Sequence, residues 1–180
     1  MSDASPFPPL SEALARWHEF YGLLGAAAAT MVALLFVAVS LGGGVCTTSR
    51  RAGQRFFFSA TVVNFALILV ASLIALAPLD AWAAFAAMIA ITGLFGLGYY
   101  ALAWVEIGRE GILAKVDLED RLWYGALPVV GHLVETASGV ALIWRAQGFE
   151  ALALALGVLL IVGVHNAWDI TIWVIGKKSS

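Results

Sequence analysis

Two stretches of this chain combine ionisable side chains with long apolar surroundings. His132 and Glu135 stand three residues apart in one stretch, and His165, Asn166 and Asp169 stand within five residues in another. Residues three or four apart share a helix face. On helices, His132 with Glu135 and His165 with Asp169 therefore form two polar stripes. Ionisable groups at membrane depth cost roughly 2.5–3.5 kcal/mol each on insertion scales, so a partner or a function has to offset them.

Four kinds of chemistry fit these residue types. His, Asn and a carboxyl can tie helices together by hydrogen bonds, each worth about 0.6 kcal/mol on average in a membrane. Imidazole titrates near neutral pH, so carboxylates on either side of it make a proton or ion relay. His132, Glu135, His165 and Asp169 offer two nitrogens and two carboxylates, a ligand set suited to zinc or iron. Their spacing lacks the H-E-x-x-H pattern of zinc hydrolases and the E-x-x-H order of ferritin-like centres. His132 and His165 could also serve as the two axial ligands of a haem, with Gly131 and Gly163 leaving room for its ring. No nucleotide-binding loop, nucleophile elbow or CxxC motif is present, so an enzyme is not the favoured reading.

The elements that must position these residues are membrane spans. Of 180 residues 62% are hydrophobic and 12% charged, against about 45–50% and about 25% in soluble domains, and mean hydropathy is +0.92. A helix needs about 20 mainly apolar residues to cross the hydrocarbon. Five runs qualify, over about 20–41, 57–77, 81–105, 122–144 and 151–175. The expected fold is thus all-α, a single domain of five transmembrane helices. Pro78 and Asp80 mark the turn between the second and third spans, and Gln147-Gly148 the turn between the fourth and fifth.

Basic residues set the expected orientation. Arg50, Arg51, Arg55, Arg109, Lys115, Arg121, Lys177 and Lys178 fall on one side, and only Arg16 and Arg145 on the other. By the positive-inside rule the N-terminus lies outside and the C-terminus in the cytoplasm. Residues 1–18 lack the basic start of a signal peptide, so the first apolar run is expected to be retained. Trp17, Trp82, Trp123, Trp144 and Trp173 lie near span ends, as interfacial anchors do. The connection Gly108–Arg121 places Ile112, Leu113 and Val116 at helical spacing, consistent with a short interfacial helix or a solvated loop.

The net charge of −2 leaves no basic footprint for nucleic acid. One cysteine, Cys46, excludes an internal disulfide. Gly22, Gly25 and Ala26–Ala29 in the first span, and Gly93, Gly96 and Gly98 in the third, offer surfaces for close helix approach. Lipid is one expected partner; a second copy or a larger membrane complex is another.

Depth can be counted at about 1.5 Å per residue. His132 lies about 16 Å beyond Arg121, His165 about 18 Å before Lys177, and Asn64 about 14 Å beyond Arg55. This predicts one polar layer holding both histidines and Asn64, bracketed by Glu135 and Asp169, with Thr30 able to join it. Tyr99 and Tyr100 could point hydroxyls towards Asp169.

The first span reads His18-Glu19-Phe20-Tyr21-Gly22-Leu23-Leu24-Gly25, then Ala26–Thr30 and ALLFVAVS over Ala33–Ser40, and the fifth carries Asn166-Ala167-Trp168-Asp169. In these segments the chain resembles a group of small bacterial integral membrane proteins with an N-terminal F-Y-x-L-x-G-x-A-A-A-T helix and a late N-A-W-D segment. The resemblance implies a multi-pass membrane protein and brings no activity with it. The expected role is a non-enzymatic structural or accessory membrane component. The alternative is a small proton- or ion-conducting, or metal- or haem-binding, protein built on the polar residues.

Overall fold

In lipid every backbone N–H and C=O must find its partner within the segment, which leaves helices as the way for single apolar runs to cross. The computed structural model describes residues 8–41, 51–109, 117–144 and 148–178, and among these the chain is all-α. A short helix α1 (Leu10–Ala15) precedes α2 (His18–Leu41), α3 (Arg51–Leu76) and α4 (Trp82–Arg109). The next span is continuous but changes its winding. It begins as α5 (Leu118–Arg121), opens into a π turn (Leu122–Ala126) and resumes as α6 (Leu127–Ile143). The last helix is α7 (Phe149–Lys178).

Among the described residues five helices are long and apolar enough to cross a membrane: His18–Ala38, Ser59–Leu76, Trp82–Arg109, Leu118–Ile143 and Phe149–Ile172. This is the architecture of a multi-pass membrane protein. The outward faces carry Leu23, Phe36, Phe95, Leu133, Leu154 and Ile161, which suit a hydrocarbon solvent. The interfacial helix expected over Gly108–Arg121 falls largely on 110–116, outside the described residues, as do Cys46, Arg50 and Arg145.

Spans consecutive in sequence run antiparallel. α4 and α6 form the most extensive interface, and α7 packs against α6, α3 and α2. Glycine makes the α4–α6 contact possible. A Cβ on Gly139 would stand 2.5 Å from the backbone nitrogen of Ala90, and one on Gly96 would stand 2.5 Å from the ring of His132. Only a missing side chain lets these surfaces approach so closely.

α1 was not among the expected spans. Pro9 caps it, and its carbonyl accepts from the N–H groups of Glu12 and Ala13 at 3.1 Å. Leu10 and Leu14, one turn apart, dock into the core. With Tyr21, Phe85, Leu142, Phe149 and Leu152 they belong to the apolar core, which at this end of the bundle is where α2, α4 and α7 begin. At the opposite end α4 and α7 finish and α5 begins.

Candidate functional site

The π turn has a local cause. Pro128 has no N–H to donate and its ring crowds the preceding turn. The N–H of Leu127 donates to the carbonyl of Leu122, five residues back. In that register the carbonyl of Trp123 would next be met by residue 128, which is proline. The Asn166 side chain on α7 supplies the donor instead, with Nδ2 3.2 Å from the Trp123 carbonyl. In return the hydroxyl of Tyr124 donates to the Asn166 carbonyl at 3.0 Å. Gly125 leaves the space that the indole of Trp104 on α4 fills. Trp123 itself lies flat on the ring of His165, centroids 3.8 Å apart and planes 6° apart.

The two histidines therefore do not share a layer. Gly131 meets Leu159, and Tyr124 meets Asn166. This antiparallel register puts His132 level with about Val158, so His165 lies seven residues farther along α7, about 10 Å away. The depth count failed because it took Arg121 and Lys177 to mark one plane, whereas α7 runs past the start of the fourth span. The haem reading fails with it. His165 is stacked on Trp123, and the surfaces of Gly131 and Gly163 are filled by Leu159 and Phe65.

Two separate pairs replace the single cluster. On α6, Nδ1 of His132 and Oε2 of Glu135 are 2.9 Å apart, and both side chains are 0% exposed. The second pair is His165 Nδ1 and Asp169 Oδ2, 3.3 Å apart on α7, with side chains 30% and 45% exposed. The α6 stripe faces inward as its spacing predicts, with Pro128, Gly131, Ser138 and Gly139 buried beside the pair. The α7 stripe does not. Its buried line runs through Leu152, Leu156, Leu159, Gly163, Asn166 and Ile170, and His165 and Asp169 sit to one side of it. Among the described residues no group of three or more His, Cys, Asp or Glu side chains is placed to hold a metal. His132, Glu135, His165 and Asp169 thus do not converge as one ligand set.

The remaining polar residues have distinct places. Asn64 on α3 donates from Nδ2 to the Leu159 carbonyl at 2.9 Å. Thr30 is exposed and turns its hydroxyl back to the Ala26 carbonyl, away from the interior. Tyr100 does not reach towards Asp169; its hydroxyl donates to the Ala60 carbonyl at 3.4 Å and its ring lies 5.8 Å from that of His132. His18 is exposed at the start of α2.

Among the described residues several buried polar atoms have no hydrogen-bond partner within the protein: His132 Nε2, Glu135 Oε1, Asn64 Oδ1, Asn166 Oδ1, His165 Nδ1 and Ser72 Oγ.

No family model, curated protein or solved structure matches the chain. What it does has to be argued from these side chains.

Sequence reasoning took Trp123 only as an interfacial anchor, overlooked Tyr124, and took Gly96 only as a surface for close helix approach. The signal for the first two was present: a proline seven residues into an apolar span, with an asparagine on the adjoining span. Which side chain Gly96 makes room for has no signal in the sequence until His132 is known to face it.

Proposed function

We propose that this chain is a non-enzymatic integral membrane protein whose working centre is a proton-binding pair, His132 and Glu135. One observation carries the reading: the pair closes on itself within α6. A residue kept as structural glue should link one helix to another. That task falls to other side chains: Asn64 bonds α3 to α7, Tyr100 bonds α4 to α3, Asn166 and Tyr124 join the π turn to α7, and Tyr21 donates to the Phe149 carbonyl. His132 and Glu135 make no side-chain hydrogen bond to another helix and still bear the cost of burial.

Such a pair is a poor stabiliser, because the desolvation of two ionisable groups rivals their mutual attraction. It is a good proton store. One proton lies in the 2.9 Å contact, and Nε2 and Oε1 each leave a free position for a further proton to arrive or depart. Among the described residues, the groups placed against the pair are uncharged. α4 presents Gly96 and the ring of Tyr100, and α7 presents Leu159 across Gly131.

The test is nitrogen-15 spectroscopy of the histidines in protein reconstituted in lipid, from about pH 5 to about pH 9, where imidazole ordinarily titrates. The His132 resonances should change with pH, and Glu135→Gln should alter that change while leaving helix content intact. A His132 signal constant over the range, together with alanine variants that lose only stability, would establish a structural or accessory role instead.

A further inference from the structure

His132 is gripped from α4 at two levels. Gly93 and Gly96 stand three residues apart, on one face of α4. A Cβ on Gly93 would stand 2.7 Å from the backbone nitrogen of Thr136 and 2.9 Å from the His132 carbonyl oxygen. A Cβ on Gly96 would stand 2.5 Å from Cγ and from Nδ1 of the His132 ring, and 2.7 Å from Cδ2. A point in the plane of the ring could not be equally near all three atoms. The imidazole therefore lies with its flat face across Gly96. Cγ is the root of the ring, so rotation at the tip alone does not relieve this contact.

One turn along α4, Tyr100 adds a second contact. Its ring centroid lies 5.8 Å from that of His132, with the planes 35° apart. Its hydroxyl is held at 3.4 Å by the Ala60 carbonyl of α3, and the whole side chain is buried. The remaining contact comes from α6 itself, where Nδ1 meets Glu135 Oε2 at 2.9 Å. The neighbouring Thr136 hydroxyl is spent on the His132 carbonyl at 2.8 Å. Turning the imidazole about its Cβ–Cγ bond would carry Nδ1 off Oε2. It would also swing a ring edge into the α4 backbone, where Gly96 admits only a face. Packed interiors do not yield such space locally, so α4 has to withdraw before the ring turns.

We infer that Gly96 and Tyr100 are positioning residues for the His132–Glu135 pair, an inference that rests on the proton-binding reading of that pair. They seat the imidazole so that Nδ1 stays on Glu135 and the ring cannot exchange one nitrogen for the other. Any change of partner by His132 is thereby tied to the spacing of α4 and α6. α4 is then the helix that carries a change at the pair onward, to α3 through the Tyr100 hydroxyl.

The test uses the full chain in lipid bilayers, with nitrogen-15 histidine and carbon-13 glutamate. Magic-angle-spinning spectroscopy reads the dipolar coupling between His132 Nδ1 and the Glu135 carboxyl carbon, which falls with the cube of their separation. Tyr100→Leu removes the ring and should lower the coupling at least twofold. Tyr100→Phe keeps the ring, gives up only the hydroxyl, and should preserve it. Gly96→Ala should also lower it at least twofold; if that variant does not fold, the two Tyr100 variants carry the test. Asn166→Leu weakens the bundle away from the seat and should leave the coupling unchanged. In the Tyr100→Leu background, Glu135→Gln should no longer alter the pH response of His132. A coupling preserved in Tyr100→Leu, or lost equally in Tyr100→Phe and Asn166→Leu, would overturn the positioning role while leaving the proton-binding pair standing. A wild-type His132 signal constant from about pH 5 to about pH 9 would defeat both readings.

Discussion

Replacing the buried pair by apolar side chains separates the energetics of His132 and Glu135 from those of an ordinary interhelical contact. His132→Met leaves Glu135 with both carboxyl oxygens unpartnered, since Oε1 has no partner already and Oε2 has only His132. Breaking a buried pair in this way costs about 3–5 kcal/mol. Glu135→Met leaves both imidazole nitrogens alone, at about 1–3 kcal/mol for each orphaned group. The double variant removes all four polar atoms together. Unbranched methionines fill irregular space, and substitutions of this kind range from neutral to about 1–4 kcal/mol stabilising. The double variant should therefore lie within about 1 kcal/mol of wild type or above it, far from the sum of the singles. Reversible unfolding in bicelles measures all four proteins. A double variant destabilised by the sum of the two singles would refute the reasoning, because it would mean that each residue holds the bundle together independently of the other.

Two further outcomes follow from the helix contacts. Gly139→Ala must displace the Ala90 backbone, 2.8 Å to its Cα, and should cost about 1–3 kcal/mol as overpacking does; Gly22→Ala, with nothing within 4 Å of its Cβ, should be neutral or gain up to about 1 kcal/mol in the same unfolding assay. Asn166→Leu strips the Trp123 carbonyl of its donor and should cost about 1–3 kcal/mol, with faster amide exchange over 122–127. Pro128→Ala restores an N–H to that turn, so the Asn166→Leu loss should shrink in its background, and a loss of unchanged size would dissociate the proline from the π turn.

Much of the fold was legible in composition. Runs of about 20 apolar residues leave a chain few choices in lipid, and among the described residues five helices are long and apolar enough to cross it. Periodicity also placed the α6 stripe: His132, Glu135 and Gly139 recur at helical spacing and are all buried. Periodicity failed on α7, where almost every residue is apolar and the inward face leaves no trace. His165 and Asp169 are correctly on one face, but it is not the buried one. Asn166, the neighbour of His165, is the residue that turns inward.

By itself, then, the sequence determined that five helices exist, roughly where they begin and end, and that His132 lies on the same face as Glu135. These are local properties, decided by spacing along one helix and by the cost of exposing backbone to lipid. The tertiary structure decided which levels meet. It matched Gly131 to Leu159 and Tyr124 to Asn166, separated the histidines by about 10 Å, and turned one supposed cluster into a sealed pair and a half-exposed one. Register between helices depends on which side chains fit into which glycine gaps, as the His132 ring does at Gly96, and no spacing within a single helix records that fit.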